Sequence, residues 1–332
     1  MGRVRQRLVV IVATKAALGS ASFGYFWVAV GANGTLYTND SDTLASGSWT
    51  SRTSSFGTTS IIGVASNGVN LLVAVGGSGT LATSPDGVTW TQQTSSFGST
   101  GINAVAFGNN IWVVVGNSGK IATSTDGVTW TQRTSGTTSA LNTVQYGDGI
   151  WVVGGDAGLI RTATDPTATW TARTSTIALA IGRGSVCYFP AGDMWVAGSD
   201  AGTSGALASS PDGITWTART SAYSLGGGAF VTACNTSAVV ATELFATTAG
   251  QSSTNGTTWT SRTLADATAY STTAASDNKN QIVVGGQNNI LSPTAWNFQY
   301  STDGVTWTDA NGPSVSSNLL CLCHSTGVQS IR

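Results

Sequence analysis

The sequence predicts an all-β fold, a single β-propeller of about seven four-stranded blades that takes in residues 1–332. Three observations carry that reading. A tryptophan recurs seven times, at Trp49, Trp90, Trp130, Trp170, Trp216, Trp259 and Trp307, at intervals of 40 to 48 residues. Four short strands with their turns need a repeat of that length. A fixed hairpin precedes most of these tryptophans, as in Ser84-Pro85-Asp86-Gly87-Val88-Thr89-Trp90 and Ser124-Thr125-Asp126-Gly127-Val128-Thr129-Trp130. Asp212 and Asp303 hold the same place in the fifth and seventh copies, and Asn255 in the sixth. The fourth copy reads Thr164-Asp165-Pro166, and the first lacks the motif. Finally, the chain is 41% hydrophobic with 12 Trp and 42 Gly, but only 9% charged. Disordered chains are less hydrophobic and more charged. Aromatic and β-branched runs cut by glycine turns describe many short strands. Length alone would suggest two domains, but a closed ring of repeats accommodates the whole chain as one.

Each unit has the same interior. In the third, Ile102 to Phe107 reads as the innermost strand and Gly108-Asn109-Asn110 as a turn. Ile111 to Gly116 is an uninterrupted apolar run, as expected of a strand buried on both faces. Asn117-Ser118-Gly119 is a joint, Lys120 to Ser124 the third strand, and Asp126-Gly127 the next turn. The outer strand is expected to begin at Thr129-Trp130-Thr131. Asp-Gly between strand runs is a strong hairpin signal, because glycine accepts φ > 0 without a steric penalty. A second tryptophan recurs in the second strand at Trp27, Trp112, Trp151 and Trp195, so Trp296 alone lies outside the pattern.

These hairpins resemble Asp-box, or bacterial neuraminidase, repeats, which occur in sialidases, related glycoside hydrolases, sortilin-like receptors and photosystem assembly factors. The resemblance covers most of residues 17 to 310. The usual box has one more residue between Asp and Trp than most copies here. It implies a structural turn, organised by Ser and Asp, with the Trp plugged between strands. It therefore points to a fold and not to an activity. The compact Ser-x-Asp-Gly-Val-Thr-Trp-Thr form, with Gly/Ser/Thr-rich joints, is also similar to repeats of phage tail and adhesion proteins.

Segments 17–23 and 318–324 would raise the count of inner strands to eight, against seven tryptophan-bearing outer strands. Seven blades, closed by segments near 8–13 and 318–324, is the first reading. Eight, with one shared between the termini, is the alternative. Arg3, Arg5 and Arg7 ahead of Leu8 to Ala13 look like the start of a signal peptide. Lys15 interrupts the run and its residues are mainly β-branched, which favours a strand. Cys187, Cys234, Cys321 and Cys323 lie in apolar strand-like runs, where a thiol packs as a small hydrophobe. A disulfide, or a metal at Cys321, Cys323 and His324, is the alternative. In a strand, however, His324 would point away from both cysteines.

The sequence calls for no cofactor, no metal and no enzymatic activity. A sialidase-like site needs an arginine cluster and a Tyr–Glu pair. Arg52, Arg133, Arg173, Arg219 and Arg262 each follow a repeat tryptophan by three residues, so the repeat itself places them on outer strands. Glu243 is the only glutamate. Other glycosidases need two carboxylates roughly 5–9.5 Å apart. Asp86, Asp126, Asp212 and Asp303 belong to turns, and Asp148, Asp156, Asp193, Asp200, Asp266, Asp277 and Asp309 to expected loops. The net charge of −1 and the lack of a basic stripe argue against nucleic acid. No apolar run is long enough for a membrane-spanning helix.

Irregularity within the array marks the candidate binding site. The joint between second and third strands lengthens from Ser199 to Gly205 in the fifth unit. In the seventh it runs from about Gly286 to Asn297. There Gln287, Asn288, Asn289, Asn297 and Phe298 accompany Trp296, an arrangement of amides and an aromatic platform suited to a sugar or a protein. Packing of Trp296 over a longer blade is the alternative. The expected role is a non-enzymatic structural or recognition propeller of a phage virion: a tail component, fibre-associated protein or surface decoration. It would be present in multiple copies among other virion proteins and would serve assembly or attachment to a host glycan or receptor. A secreted or surface lectin is the alternative, and a glycoside hydrolase a third.

Overall fold

The computed structural model describes residues 9–14, 25–39, 49–178, 180–199, 206–222, 230–243, 249–264, 270–276, 281–287, 296–312 and 319–321. Seven antiparallel sheets form the blades. The third is representative, with strands Ile102–Gly108, Ile111–Gly116, Ile121–Ser124 and Thr131–Arg133. The first strands of successive blades lie side by side around the ring. That of the seventh, Tyr270–Ser276, lies beside Val9–Thr14 of the first, so the ring closes. The chain is a seven-bladed β-propeller. In blade 1, Val9–Thr14 pairs with Tyr25 to Val30, and Leu319–Cys321 pairs with Val30 and Gly31 at the end of the same strand. The segment 17–23 lies outside the described residues.

Second strands are the core, because each is covered by a blade on either side. Val113, Val114 and Val115 are fully buried. Trp112, Trp151 and Trp195 face aromatic residues directly across the first strand: Phe107 at 4.8 Å, Tyr146 at 5.0 Å and Tyr188 at 5.2 Å between ring centroids. Tilted pairs of this kind add about 0.5–1.5 kcal/mol beyond the area they bury. The hairpin tryptophans work between blades. Trp170 shares a buried cluster with Ile121 of the preceding blade, Trp216 with Ile160, and Trp259 with Leu207.

Three elements differ from the sequence expectation. The outer strand begins at Thr131, two residues late. The N–H groups of Val128 and Thr129 are taken by Asp126 and so are lost to the ladder. In blade 7 the expected joint from Gly286 to Asn297 is partly strand. Gly286 pairs with Asn297 and Gln287 with Trp296, so this hairpin outgrows those of the other blades. Asp309, expected in a loop, pairs with Gln299 in the outer strand Thr308–Asn311.

Phe298 occupies the third-strand core place that Ile121 has in blade 3. It is fully buried and its ring lies 5.5 Å from that of Trp49 in blade 1, so this pair joins the last blade to the first. Phe298→Ala is expected to lower stability by about 3–5 kcal/mol in urea unfolding. Val128→Ala, at an exposed hairpin tip, should stay within about 0.5 kcal/mol of the parent.

Candidate functional site

The repeat hairpin begins with a problem of backbone satisfaction. A tight turn after the third strand leaves several N–H groups without ladder partners. In blade 3, Asp126 Oδ1 accepts from the N–H of Val128 and of Thr129, both at 2.8 Å. Ser124 Oγ accepts from the Gly127 N–H at 2.8 Å and donates to Asp126 Oδ1 at 2.8 Å. The Trp130 indole donates to the Gly127 carbonyl at 2.9 Å. Asp86, Asp212 and Asp303 each accept the same pair of N–H groups. Asn255 Oδ1 does so too, at 2.9 Å, so the turn needs the oxygen and not the charge. In blade 4, with one more residue before its tryptophan, Asp165 accepts from Thr167 N–H, and Trp170 donates to the Pro166 carbonyl.

Gly127 explains why the hairpin faces its neighbour. Its φ is +74°, and a Cβ placed on it would lie 2.6 Å from Leu71 Cδ2 of blade 2. The turn therefore sits directly on the preceding blade.

The repeat arginines are also structural at their Nε. Arg133 donates to Thr123 Oγ1 at 2.9 Å, Arg173 to Thr162 Oγ1 at 2.7 Å and Arg219 to Ser209 Oγ at 2.7 Å. Arg52 and Arg262 make the equivalent bonds to Thr38 and Ser252, and Gln93 replaces the arginine in blade 2. Each is thus tied to a hydroxyl of its own blade and not drawn into a common cluster.

Strand direction sorts the turns and the joints onto opposite faces. Turns between strands one and two and between three and four share one face. Joints between two and three, and the loops to the next blade, share the other. The hairpin face carries Asp86, Asp126, Asp165, Asp212 and Asp303, together with Asp148 and Asp193. Arg133 of the preceding blade acts electrostatically on Asp165 and helps to lower its pKa, after the hydrogen bonds from Thr167. Lys120 and Asp156 lie toward the joint face, whereas the repeat arginines run back along the outer strand to hydroxyls of the third strand. The exposed large hydrophobic residues also belong to the hairpin face: Val69 in a first turn, and Val88, Val128, Ile214 and Val305, each just after a hairpin glycine and 40–46% exposed.

The joint face holds a groove of about 590 Å3 beside blade 3, lined by Lys120, Arg133, Ser135, Gly136 and Thr137 among others. The loop along its wall departs from the repeat. The loops leaving blades 1 and 2 read Thr-Ser-Ser-Phe-Gly, and Phe56 and Phe97 are buried plugs. Ile177 and Leu264 plug the loops of blades 4 and 6. The blade 3 loop reads Thr134-Ser135-Gly136-Thr137-Thr138 and brings no apolar side chain. Lys120 Nζ borders the groove while bonded to the Phe97 carbonyl at 2.7 Å, and Arg161 Nη2 donates to the Gly136 carbonyl at 2.6 Å. The sequence reading missed this place.

The segment singled out in the sequence is only partly placed. Gln287 and Trp296 end the long blade 7 hairpin as a cross-strand pair on the joint face, with Asn297 next to them. Asn288 and Asn289 lie outside the described residues. Phe298 is the correction: buried against Trp49, it offers no surface to a ligand. Cys187 and Cys234, on neighbouring first strands, are free thiols. Hydrogen bonding to Cys187 and burial push the Cys234 thiol well above its ordinary range. Cys321 lies in its short strand, whereas Cys323 and His324 lie outside the described residues, as do Asp200, Asp266 and Asp277. Among the described residues no three His, Cys, Asp or Glu side chains gather as a metal site, and no helix is long and apolar enough to cross a membrane.

No protein-family model matches the chain, and no curated protein matches it in sequence. Its fold is similar to solved structures. YCF48 bound to D1 peptide is 15% identical with a TM-score of 0.63, over 85% of this chain and 89% of that one. YCF48 from Cyanidioschyzon merolae is 15% identical with a TM-score of 0.62, over 86% and 95%. Virginiamycin B lyase from Staphylococcus aureus is 11% identical with a TM-score of 0.62, over 77% and 85%. An antibiotic lyase and a peptide-bound protein on one architecture show the fold alone.

The hairpin carboxylates titrate low. N–H bonds from Thr129 and Val128 hold Asp126 at about 2, and those from Thr306 and Val305 hold Asp303 at about 2, against an ordinary 3.8. A folded-state value below the unfolded one stabilises the fold above pH 3.8, and that share is lost as pH falls through about 2. The urea midpoint is therefore expected to drop over this window. The D126N/D303N variant should show a shallower drop and near-parent stability at pH 7, because Asn255 already supports the same turn.

Proposed function

We propose that the chain is a non-enzymatic structural and recognition propeller of a phage virion, serving assembly or attachment to the host surface. One observation carries the reading. The repeat carboxylates and arginines, which an enzyme would need to converge, are each bonded within their own blade. What they leave outward is a hairpin face of turn carboxylates and exposed aliphatic side chains, a form suited to contact with other macromolecules. The Ser/Thr/Gly-rich, lysine-poor composition and the phage-like compact hairpins support the virion setting. The likeness to YCF48, whose structure holds a peptide, is consistent with a protein partner.

Mass spectrometry of gradient-purified particles from cells producing this chain tests the assignment. The chain is expected at a fixed copy number per particle; its absence from the particles would overturn the reading. Purified chain is expected to release no product from a panel of glycosides and polysaccharides, and turnover lost on substitution of a carboxylate would refute the non-enzymatic part.

A second reading, carbohydrate binding, is favoured by the blade 7 hairpin, which extends beyond those of the other blades and places Trp296 and Gln287 at its end. Glycan-array binding by the parent chain that disappears in Trp296→Ala, with unchanged circular dichroism, is the expected result for that reading. Binding that survives the substitution would exclude this hairpin as the site.

A further inference from the structure

We infer that Cys187 and Cys234 are a redox pair that closes a disulfide between blades 5 and 6 when the chain meets a small-molecule disulfide. This goes beyond the proposed function and does not depend on it.

The pair stands where two neighbouring blades depart from the repeat together. In blades 3, 4 and 5 the first strand sets an aromatic residue opposite the second-strand tryptophan: Phe107 opposite Trp112, Tyr146 opposite Trp151 and Tyr188 opposite Trp195. Tyr146 stands over Gly108 of blade 3 and Tyr188 over Gly147 of blade 4, so close that a Cβ on either glycine would lie 2.4 to 2.5 Å from the tyrosine. The boundary between blades 5 and 6 is built differently. Blade 5 has the fully buried Phe189 where its neighbours have that glycine. Blade 6 has Cys234 opposite Val239, in place of the aromatic residue and the tryptophan.

Side-chain direction then brings the thiols together. Successive residues of a strand point to opposite faces. Val186 and Tyr188 pack toward blade 4, with Val152 and Ile160. Cys187 and Phe189 pack toward blade 6, in one buried cluster with Val239 and Ala241, and Cys234 packs against that cluster from its own strand. The strands Ile181–Phe189 and Phe230–Cys234 lie side by side, but they belong to separate sheets and no ladder joins them. Cys234 Sγ donates to the carbonyl of Tyr188, the residue next to Cys187, at 2.8 Å. The two thiols are themselves in hydrogen-bond contact.

Oxidation balances through exchange with a reagent such as oxidised glutathione. Cys234, the more exposed thiol, loses its proton and attacks one sulfur of the reagent, releasing one molecule of free thiol. Cys187 then attacks the Cys234 sulfur of the mixed disulfide, and the second thiol leaves. The cysteines give up two protons and two electrons, and the reagent takes both as two thiols. Bonding draws the sulfurs from hydrogen-bond contact to about 2.05 Å, within reach of χ1 rotation and a slight approach of the two strands. Contact with Cys187 and burial hold the Cys234 proton, so the exchange is expected over hours. The bond closes a loop from residue 187 to residue 234 and restricts the unfolded chain, which stabilises the fold.

Wild-type chain kept with oxidised glutathione at about pH 8, then digested without reduction, tests the inference. The expected product is a peptide pair joined through Cys187 and Cys234. The urea midpoint of the linked chain should rise by about 0.5 M or more and return on reduction with a phosphine. Cys187→Ala and Cys234→Ala should each show parent circular dichroism and a midpoint that no longer responds to the oxidant. Where a variant fails to fold, the peptide map of the wild-type chain decides alone. Recovery of both cysteines as free thiols, by alkylation after unfolding, would overturn the inference. So would a lasting glutathione adduct on Cys234, a link from either residue to Cys321 or Cys323, or a linked chain whose midpoint is unchanged.

Discussion

The hairpin turn is the constraint on which the rest of this propeller depends. A glycine at positive φ lets the chain reverse where no Cβ fits against the preceding blade. Reversal strands two backbone N–H groups, and one oxygen of Asp or Asn accepts both. With the turn held in that shape, the following tryptophan enters the space between blades and joins the aliphatic cluster of its neighbour. Local satisfaction of a turn thus sets the spacing of blades, and the repetition of that spacing lets Trp49 reach Phe298 and close the ring.

The same device has an electrical consequence. Turns of one kind must all fall on one face, because every blade runs in the same sense. A motif that uses aspartate in the turn therefore accumulates negative charge on that face. An arginine placed three residues beyond the tryptophan turns back along the outer strand to a hydroxyl of the third strand, and Arg133 from there acts on Asp165 of the next hairpin. The accumulation of carboxylates requires no selection for a charged surface, but the exposed aliphatic residues at the hairpin tips are not needed by the turn. They give that face a character that scaffold geometry alone does not account for.

Irregularity located function less directly than its prominence in the sequence suggested. The longest joint, at blade 7, drew attention through its extra tryptophan, yet part of it continues the strand ladder and Phe298 belongs to the core. The groove lies instead beside a quieter change, a loop one residue shorter than its predecessors and without their phenylalanine. An added tryptophan is conspicuous in a sequence. A missing plug is visible only against the buried side chains that fill its place elsewhere, such as Phe56, Phe97 and Ile177.

By itself the sequence determined the all-β class, the repeat, the number of tryptophan-bearing outer strands and the turn at each Asp-Gly. These depend on interactions within a few residues, where glycine conformations, hydroxyl and carboxylate acceptors and alternating burial leave a direct trace. It also indicated that the repeat arginines are part of the scaffold. Only the tertiary structure decided that Leu319–Cys321 and Val9–Thr14 meet on one strand of blade 1. It alone buried Phe298 against Trp49, hundreds of residues away, and gathered the turn aspartates and exposed aliphatic residues on one face. Composition counts residues without regard to direction. Which side of the disc a residue occupies follows from the sense of its strand and the closure of the ring, and both are properties of the assembled fold.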